Sequence, residues 1–357
     1  MNNIIPSRRR AIATLLLASL ASTVSTVHGR CDDAAAPVED ALVRLAAERL
    51  DSVFQAVADS TRALGDTYAR LALEQRAQPT PDSERWLARR TTRGGTTGLR
   101  SWPEELNTSP QFQEPYAGFY SYNGSNLSDA VLGQLDLFER LVPTFRTAYE
   151  SFPFSWVYVT TVDEAMMIYP YLPIEQAVNN GPPTQTPYFR AADFDRRAVG
   201  WTQPYLDLVG AGMMITASYP VYDGGTLLGV VSRDITLAQL AKSVMSHLNT
   251  GNHSIALLVD RNGLAIDASD PGLAAEIERV NAAADAAVLY YRGAGGLQTL
   301  NTKGAVASSY AAINALVEQV LAESHAGHTV RLDLEGRRVL MAPVRHTGWI
   351  LILIQPD

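Results

Sequence analysis

The stretch SYPVYDGGTLLGVVSRDITL, residues 218–237, decides how this chain folds. Runs of β-branched, aromatic and other apolar residues flank Gly224-Gly225, and a glycine pair between two such runs makes a turn joining antiparallel strands. The second run stays apolar until Arg233 and Asp234, two charges side by side near the strand's end. Successive strand residues face opposite sides, so Arg233 is a poor direct partner for Asp234. A carboxylate taken out of water needs a partner from elsewhere. A ligand cation, a structural ion pair, or a helix starting near Thr236 that Asp234 would cap are the three readings.

On the N-terminal side, SWVYVTTV (155–162), AMMIYPY (165–171) and GMMITASYPVYD (212–223) read as strands. They follow a helix at about 127–149 in which Pro143 predicts a kink. On the C-terminal side, SIALLVD (254–260) and LAIDAS form a hairpin across Asn262-Gly263, a pair that suits a type I′ turn. Helical segments are expected at about 271–290 and 304–325. TVRLDL, RRVLMAPV and WILILI then give three more strands. Short turns between strands point to antiparallel sheets with flanking helices, not to βαβ units.

Ahead of all this, Val38 to Arg76 contains no proline and only Gly65 among glycines. Its apolar residues Leu42, Leu45, Leu50, Val53, Val57, Leu64, Tyr68 and Leu71 recur at helical spacing, which predicts one helix of about ten turns or a little more. Pro79, Pro81 and TTRGGTTG (91–98) end it in a loop. The class is α+β: a long N-terminal helix followed by two successive units built on antiparallel sheets.

Composition narrows the function. With 46% hydrophobic and 18% charged residues the chain buries a real core, and its formal charge is -8. Residues 1–29 hold three arginines and no acids, so without them 26 basic face 37 acidic side chains, a charge of -11. Nucleic acid is therefore not an expected partner, since phosphate neutralisation needs a basic face. MNNIIPSRRRAIATLLLASLASTVSTVHG (1–29) has the three-part form of an export signal, and its consecutive arginines also fit twin-arginine export. Its apolar stretch is too short to span a bilayer, and no other stretch is apolar for long enough. Cys31, the sole cysteine, rules out an internal disulfide and stands where a lipoprotein is lipidated, although Arg30 precedes it where such signals want a small residue. The expected location is extracytoplasmic, with a soluble chain or a lipid anchor at Cys31 as the two forms.

Catalytic signatures are missing: no G-x-S-x-G occurs, and Cys31 has no structured neighbour to act as base. His325 and His328 are three apart without a third ligand or an H-E-x-x-H, and DRNGLAIDASD (260–270) lacks calcium-loop spacing. No phosphate-cradling glycine loop follows a strand. No cofactor, metal or enzymatic activity is expected.

WTQPYLD (201–207), SYPVYDGGTLLGVVSRDITL (218–237) and GWILILI (348–354) resemble the double Cache (dCache, PAS-like) family, the extracellular sensor domains of bacterial chemoreceptors and sensor kinases. The resemblance covers about 38–357. It implies a leader, long helix and loop at 30–109, a membrane-distal, ligand-binding Cache module at 110–245, and a membrane-proximal module at 246–357. Family members ordinarily continue into a transmembrane helix and a signalling domain. This sequence stops at Asp357, so the resemblance implies a free or anchored binding protein, or a subunit reporting to a membrane sensor or transporter.

In amino-acid-binding members an Asp at the end of this strand holds the ligand amine, and the resemblance puts Asp234 there. The companion segment R-P-W-Y aligns with Thr186-Pro187-Tyr188-Phe189: the aromatics persist, but Thr186 replaces the arginine that would clamp a carboxylate bidentately. A ligand with an amine and no carboxylate gains weight, while Arg190, Arg196 or Arg197 reaching in would keep amino acids eligible. The aromatics Trp156, Tyr158, Tyr169, Tyr171, Tyr188, Phe189, Trp201, Tyr205 and Tyr219 are candidates for a cage around a cation, with Asp207 as a further carboxylate or a strut. The competing reading is a ligand-free interaction module that docks on a membrane-bound partner or forms a homodimer through the long helix.

Overall fold

The computed structural model describes residues 32–76, 83–93, 96–100, 116–124, 127–151, 156–177, 181–207, 213–237, 240, 248, 254–281, 288–293, 304–323, 328–334 and 336–355. The expected export signal at 1–29, Arg30, Cys31, Pro79, Pro81 and His325 lie outside them. Residues Met1–Glu39 and Asp40–Asp357 are separate units, and the architecture below is that of the second.

Helix α1 (Asp32–Gln75) takes up the long helical pattern. After α2 (Ser83–Ala88) come β1 (Thr91–Arg93) and β2 (Thr96–Arg100), paired antiparallel. The loop expected at 91–98 is thus corrected to strand on both sides of Gly94-Gly95: the β-branched threonines flanking the glycines favour a hairpin. Then follow β3 (Gly118–Ser121), α3 (Asp129–Ser151), β4 (Val157–Thr161), β5 (Ala165–Tyr169), α4 (Ile174–Ala177), a 3-10 turn (Pro183–Gln185), α5 (Pro187–Arg190), β6 (Gly200–Trp201), β7 (Tyr205–Leu206), β8 (Met213–Asp223) and β9 (Thr226–Thr236). These strands make one antiparallel sheet ordered β1-β2-β3-β5-β4-β9-β8-β6, with β7 also on β8.

The second sheet contains β10 (Ile255–Val259), β11 (Ala265–Ala268), β14 (Val330–Leu334), β15 (Arg337–Val344) and β16 (Trp349–Gln355), in the order β11-β10-β16-β15-β14. In both sheets a hairpin's first strand lies beside the last strand, which lies beside the one before it. Helices α6 (Pro271–Asn281) and α7 (Ala311–Glu323) cover the second sheet's outer face. The helical expectation for 271–290 and 304–325 needs correction at its inner ends, where β12 (Val288–Tyr290) and β13 (Ala305–Ala307) pair in parallel. Three residues are too few to show a period.

The β10–β11 turn also differs from expectation. Only Gly263 adopts positive φ, at 84°, and its N–H donates to Asp260 O at 3.0 Å. The Asp260 carboxylate accepts from the Asn262 and Leu264 N–H groups, both at 2.8 Å. Such an Asx-held type I turn followed by a left-handed residue is the three-residue hairpin with a bulge, not type I′.

Side-chain alternation sorts each strand between two layers. One face of the first sheet packs Phe119, Val157, Val159, Met167, Tyr169, Val221 and Val231 against α1 and α3. The second sheet's inner face packs Leu258, Leu340, Leu351 and Leu353 against Val43, Leu50 and Phe54 of α1, sharing that core with Ile215, Ala217 and Ile235 of the first sheet. Helix α1 therefore lies along both sheets. The opposite face of the first sheet is left for a different use.

Candidate functional site

Strand β9 is held between β4 and β8, with Thr216 opposite Asp234 and Tyr158 opposite Ser232. Asp234, Ser232, Thr216, Ser218 and Tyr158 consequently share the face turned away from α1. Arg233 takes the other face: its guanidinium donates to Ser60 Oγ on α1 at 2.7 Å and to Ala148 O on α3, and the residue is 1% exposed. The two adjacent charges do not pair. Nor does Asp234 cap a helix, since β9 continues through Thr236.

Asp234 is 5% exposed. Its Oδ1 accepts from Tyr158 OH at 3.0 Å and from Thr216 Oγ1 at 2.7 Å. Because the Thr216 proton is used in this way, Tyr205 OH donates to Thr216 Oγ1, 2.7 Å away, completing a relay of hydroxyls onto one carboxylate oxygen. Burial pushes the Asp234 carboxyl up from 3.8 to about 7; the Thr216 and Tyr158 hydrogen bonds oppose that rise, and the charge of Asp207 adds to it. The phenols of Tyr158 and Tyr205 are driven well above 10 by burial and then by the Asp234 charge, so both remain donors.

The aromatic wall comes from the segment that crosses this face. Tyr188 meets Tyr158 edge to face, with ring centroids 5.2 Å apart, and Ser218 Oγ donates to Tyr188 O at 2.6 Å. Phe189 packs on Val230 and Phe194, and Trp156 on the cluster of Tyr120, Tyr158 and Ile168. Asp207, half-buried, directly follows β7 and its Tyr205. Of the expected site residues, the structure therefore brings together Asp234, Tyr158, Tyr188, Phe189, Trp156, Tyr205 and Asp207.

Tyr169, Tyr219 and Trp201 are corrections. Tyr169 stacks edge-on to Tyr149 of α3, Tyr219 reaches Asp66 of α1, and Trp201 packs at 5.2 Å on Phe54 of α1. Strand alternation puts them on the helix-facing side. Tyr171 is buried beyond β5. Arg190 and Arg196 are exposed, and Arg197 is engaged at the β8–β9 turn with Gly224 O and the Tyr222 ring. The Thr186 hydroxyl donates to Pro183 O at 2.6 Å. Thr216, Ser218 and Ser232 were not singled out from sequence; polar residues at alternate positions of otherwise apolar strands were the signal. Among the described residues no group of three or more His, Cys, Asp or Glu side chains is gathered as for a metal ion.

Two sheets of matching strand order lie behind one long helix, with a polar and aromatic cluster on one face of the first. Residues 136–242 match the family described as methyl-accepting chemotaxis protein-like, first PDC sensor domain. The chain is 29% identical over 106 residues to the methyl-accepting chemotaxis protein McpC of Bacillus subtilis (strain 168), a match covering 30% of this chain and 16% of McpC. It thus spans a small part of that relative's length. The sensory domain of the Campylobacter jejuni chemoreceptor Tlp3, solved with isoleucine bound, superposes with a TM-score of 0.50 at 12% identity, covering 91% of this chain and 94% of that one. The ligand-binding domain of the Pseudomonas aeruginosa PAO1 amino acid chemoreceptor PctC, in complex with GABA, gives 0.47 at 14% identity, covering 91% and 100%. The fold is thus similar to that of a chemoreceptor sensory domain, and residues 136–242 resemble a first PDC sensor domain.

Proposed function

We propose that this chain is an extracytoplasmic sensor module whose 110–245 region, its membrane-distal Cache module, binds a small molecule bearing a protonated amine. The observation that carries the reading is Asp234: a carboxylate 5% exposed whose donors among the described residues are hydroxyls. Neutral donors offset only part of the desolvation of a charge, and an ammonium would supply the rest through a charge-assisted bond, with Asp207 adding negative potential. Tyr158, Tyr188, Phe189 and Trp156 offer ring faces and edges to the ligand body, consistent with cation–π recognition.

A ligand without a carboxylate is favoured, because Thr186 spends its hydroxyl on Pro183 O and Arg190 and Arg196 are exposed to solvent. Export through residues 1–29 belongs to the same reading. So does a membrane sensor or transporter as downstream partner. The chain from Arg30 onward, heated with a panel of alkylammonium ions, amino acids and carboxylic acids, tests the proposal. At about 100 times its dissociation constant a ligand stabilises the fold by roughly 2.7 kcal/mol. Amines that raise the melting temperature of the native sequence but not of Asp234→Asn support the assignment. Carboxylic acids that shift both proteins alike refute it.

Exposed leucines on α1, Leu45 at 62% and Leu73 at 53%, favour a second use of the helix, as a docking or dimerisation surface. Sedimentation of the native chain and of a Leu45→Glu/Leu73→Glu variant distinguishes that role: self-association lost in the variant supports it, and a monomer in both removes the homodimer.

A further inference from the structure

Glu164 stands where its hairpin calls for glycine. The β4–β5 connection is a three-residue loop in which Glu164 N donates to Thr161 O at 3.2 Å and Glu164 itself has a φ of 60°. The β10–β11 hairpin of the second sheet repeats this geometry, with Gly263 N on Asp260 O, and there the left-handed position is glycine. A side chain in that conformation is strained, and strain of this kind persists where surrounding contacts enforce it.

Those contacts point to the site. The Glu164 carboxylate accepts the Thr184 N–H at 3.1 Å and the Thr184 hydroxyl, and Glu164 O accepts Tyr122 N–H at 2.9 Å. Thr184 belongs to the 3-10 turn that leads, through Thr186, into α5. That helix lays Tyr188 against Tyr158 and places Phe189 on Val230. A further tie to the sheet, Ser218 Oγ on Tyr188 O, secures the segment in the middle. With only four residues, α5 has little helical stability of its own, so its position depends on such ties.

We infer that Glu164 is a positioning residue of the ligand site: its carboxylate holds the Pro183–Arg190 segment over the Asp234 face, in a turn that a glycine would form without strain. The inference rests on the site reading above, and its test needs no ligand. Native-state hydrogen exchange of the full chain reads the amides of Thr186, Arg190 and Ala191, which bond to Pro183 O, Thr186 O and Pro187 O. In Glu164→Gly these amides exchange roughly tenfold to a hundredfold faster, equivalent to about one charged hydrogen bond, while the melting temperature holds or rises as the turn relaxes. Thr184→Val removes the hydroxyl bond but keeps the backbone N–H bond to Glu164, so it gives a smaller loosening at the same amides. Glu164→Gln, which keeps a side-chain oxygen for the Thr184 N–H, restores most of the protection. Unchanged exchange at these amides in Glu164→Gly overturns the inference. Equal loosening in β16, remote from the turn, also overturns it, because Glu164 would then be a general stabiliser. Failure of the amine reading appears separately, as a silent ligand panel on a protein whose segment loosens as described.

Discussion

Replacing Asp234 by asparagine tests the electrostatics of the site without touching its shape. The carboxyl rises from 3.8 to about 7 on folding because burial penalises its charge more than the hydroxyls of Thr216 and Tyr158 favour it. Between those values the folded state holds a proton that the unfolded state has released, so stability falls as pH increases through the window and levels off above about 7. At about 1.4 kcal/mol for each pH unit, the carboxylate costs the unliganded fold about 4 kcal/mol at pH 8 relative to pH 4. Asparagine is neutral throughout and its Oδ1 still accepts from Tyr158 and Thr216. Urea unfolding of both proteins from pH 4 to pH 8 measures the difference, in which all other titrating groups cancel. The variant is expected to match the native sequence near pH 4 and to exceed it by a few kcal/mol at pH 8. A gap that does not change with pH, or an asparagine variant less stable at pH 8, would show that Asp234 is not an uncompensated buried acid.

Ligand binding carries the complementary signature: an ammonium needs the ionised carboxylate, so affinity for an amine rises about tenfold per pH unit below pH 7 and levels off above it, with proton release on binding detectable by calorimetry in buffers of different ionisation enthalpy. Phe54 is fully buried and meets both Trp201 and Trp349 edge-on at 5.2 Å, so Phe54→Ala should cost about 3–5 kcal/mol in urea unfolding. Gly65→Ala sets two effects against each other: alanine is better in a helix by about 1 kcal/mol, but its Cβ would fall 2.4 Å from Tyr219 Cδ1 and 3.1 Å from Val221 Cγ2. Overpacking costs about 1–3 kcal/mol, so the melting temperature should fall, and a rise would mean that α1 does not lie this close to β8.

What could be read from sequence followed the range of each signal. The α1 pattern and the alternation along β8, β9, β15 and β16 repeat over many residues, and the long helix and strand succession were legible from them. The strands β1, β2, β12 and β13 are three to five residues long, too short for a period to emerge, and two of them hide within threonine-glycine sequence that also reads as loop. At the site, Asp234 and Tyr158 were legible as a charge in an apolar strand and an aromatic on a strand face. Tyr169, Tyr219 and Trp201 were not separable from them, because the face an aromatic takes depends on inter-strand register. That register sets Val157 opposite Tyr169 and Val231 opposite Tyr219, and so turns both rings toward the helices. Thr216 escaped notice for the same reason: it matters only because it lies opposite Asp234.

The two charges of β9 are handled in opposite ways, and the difference explains why they occur together. Burial lowers the Arg233 guanidinium only to about 10, so it stays charged at neutral pH and must be satisfied in place, which Ser60 Oγ and Ala148 O help to do. Asp234 has an escape that arginine lacks, since it can take a proton near pH 7. The unliganded site is therefore close to balance between a neutral acid and a costly anion. A small apolar residue at 234 would avoid that cost, but it would leave nothing for a cation to relieve. On the amine reading proposed above, the free energy withheld from folding at this position becomes available to binding: a ligand ammonium that fixes the charged form would recover it, and the strand that carries the change is the one bonded through its neighbouring residue to α1.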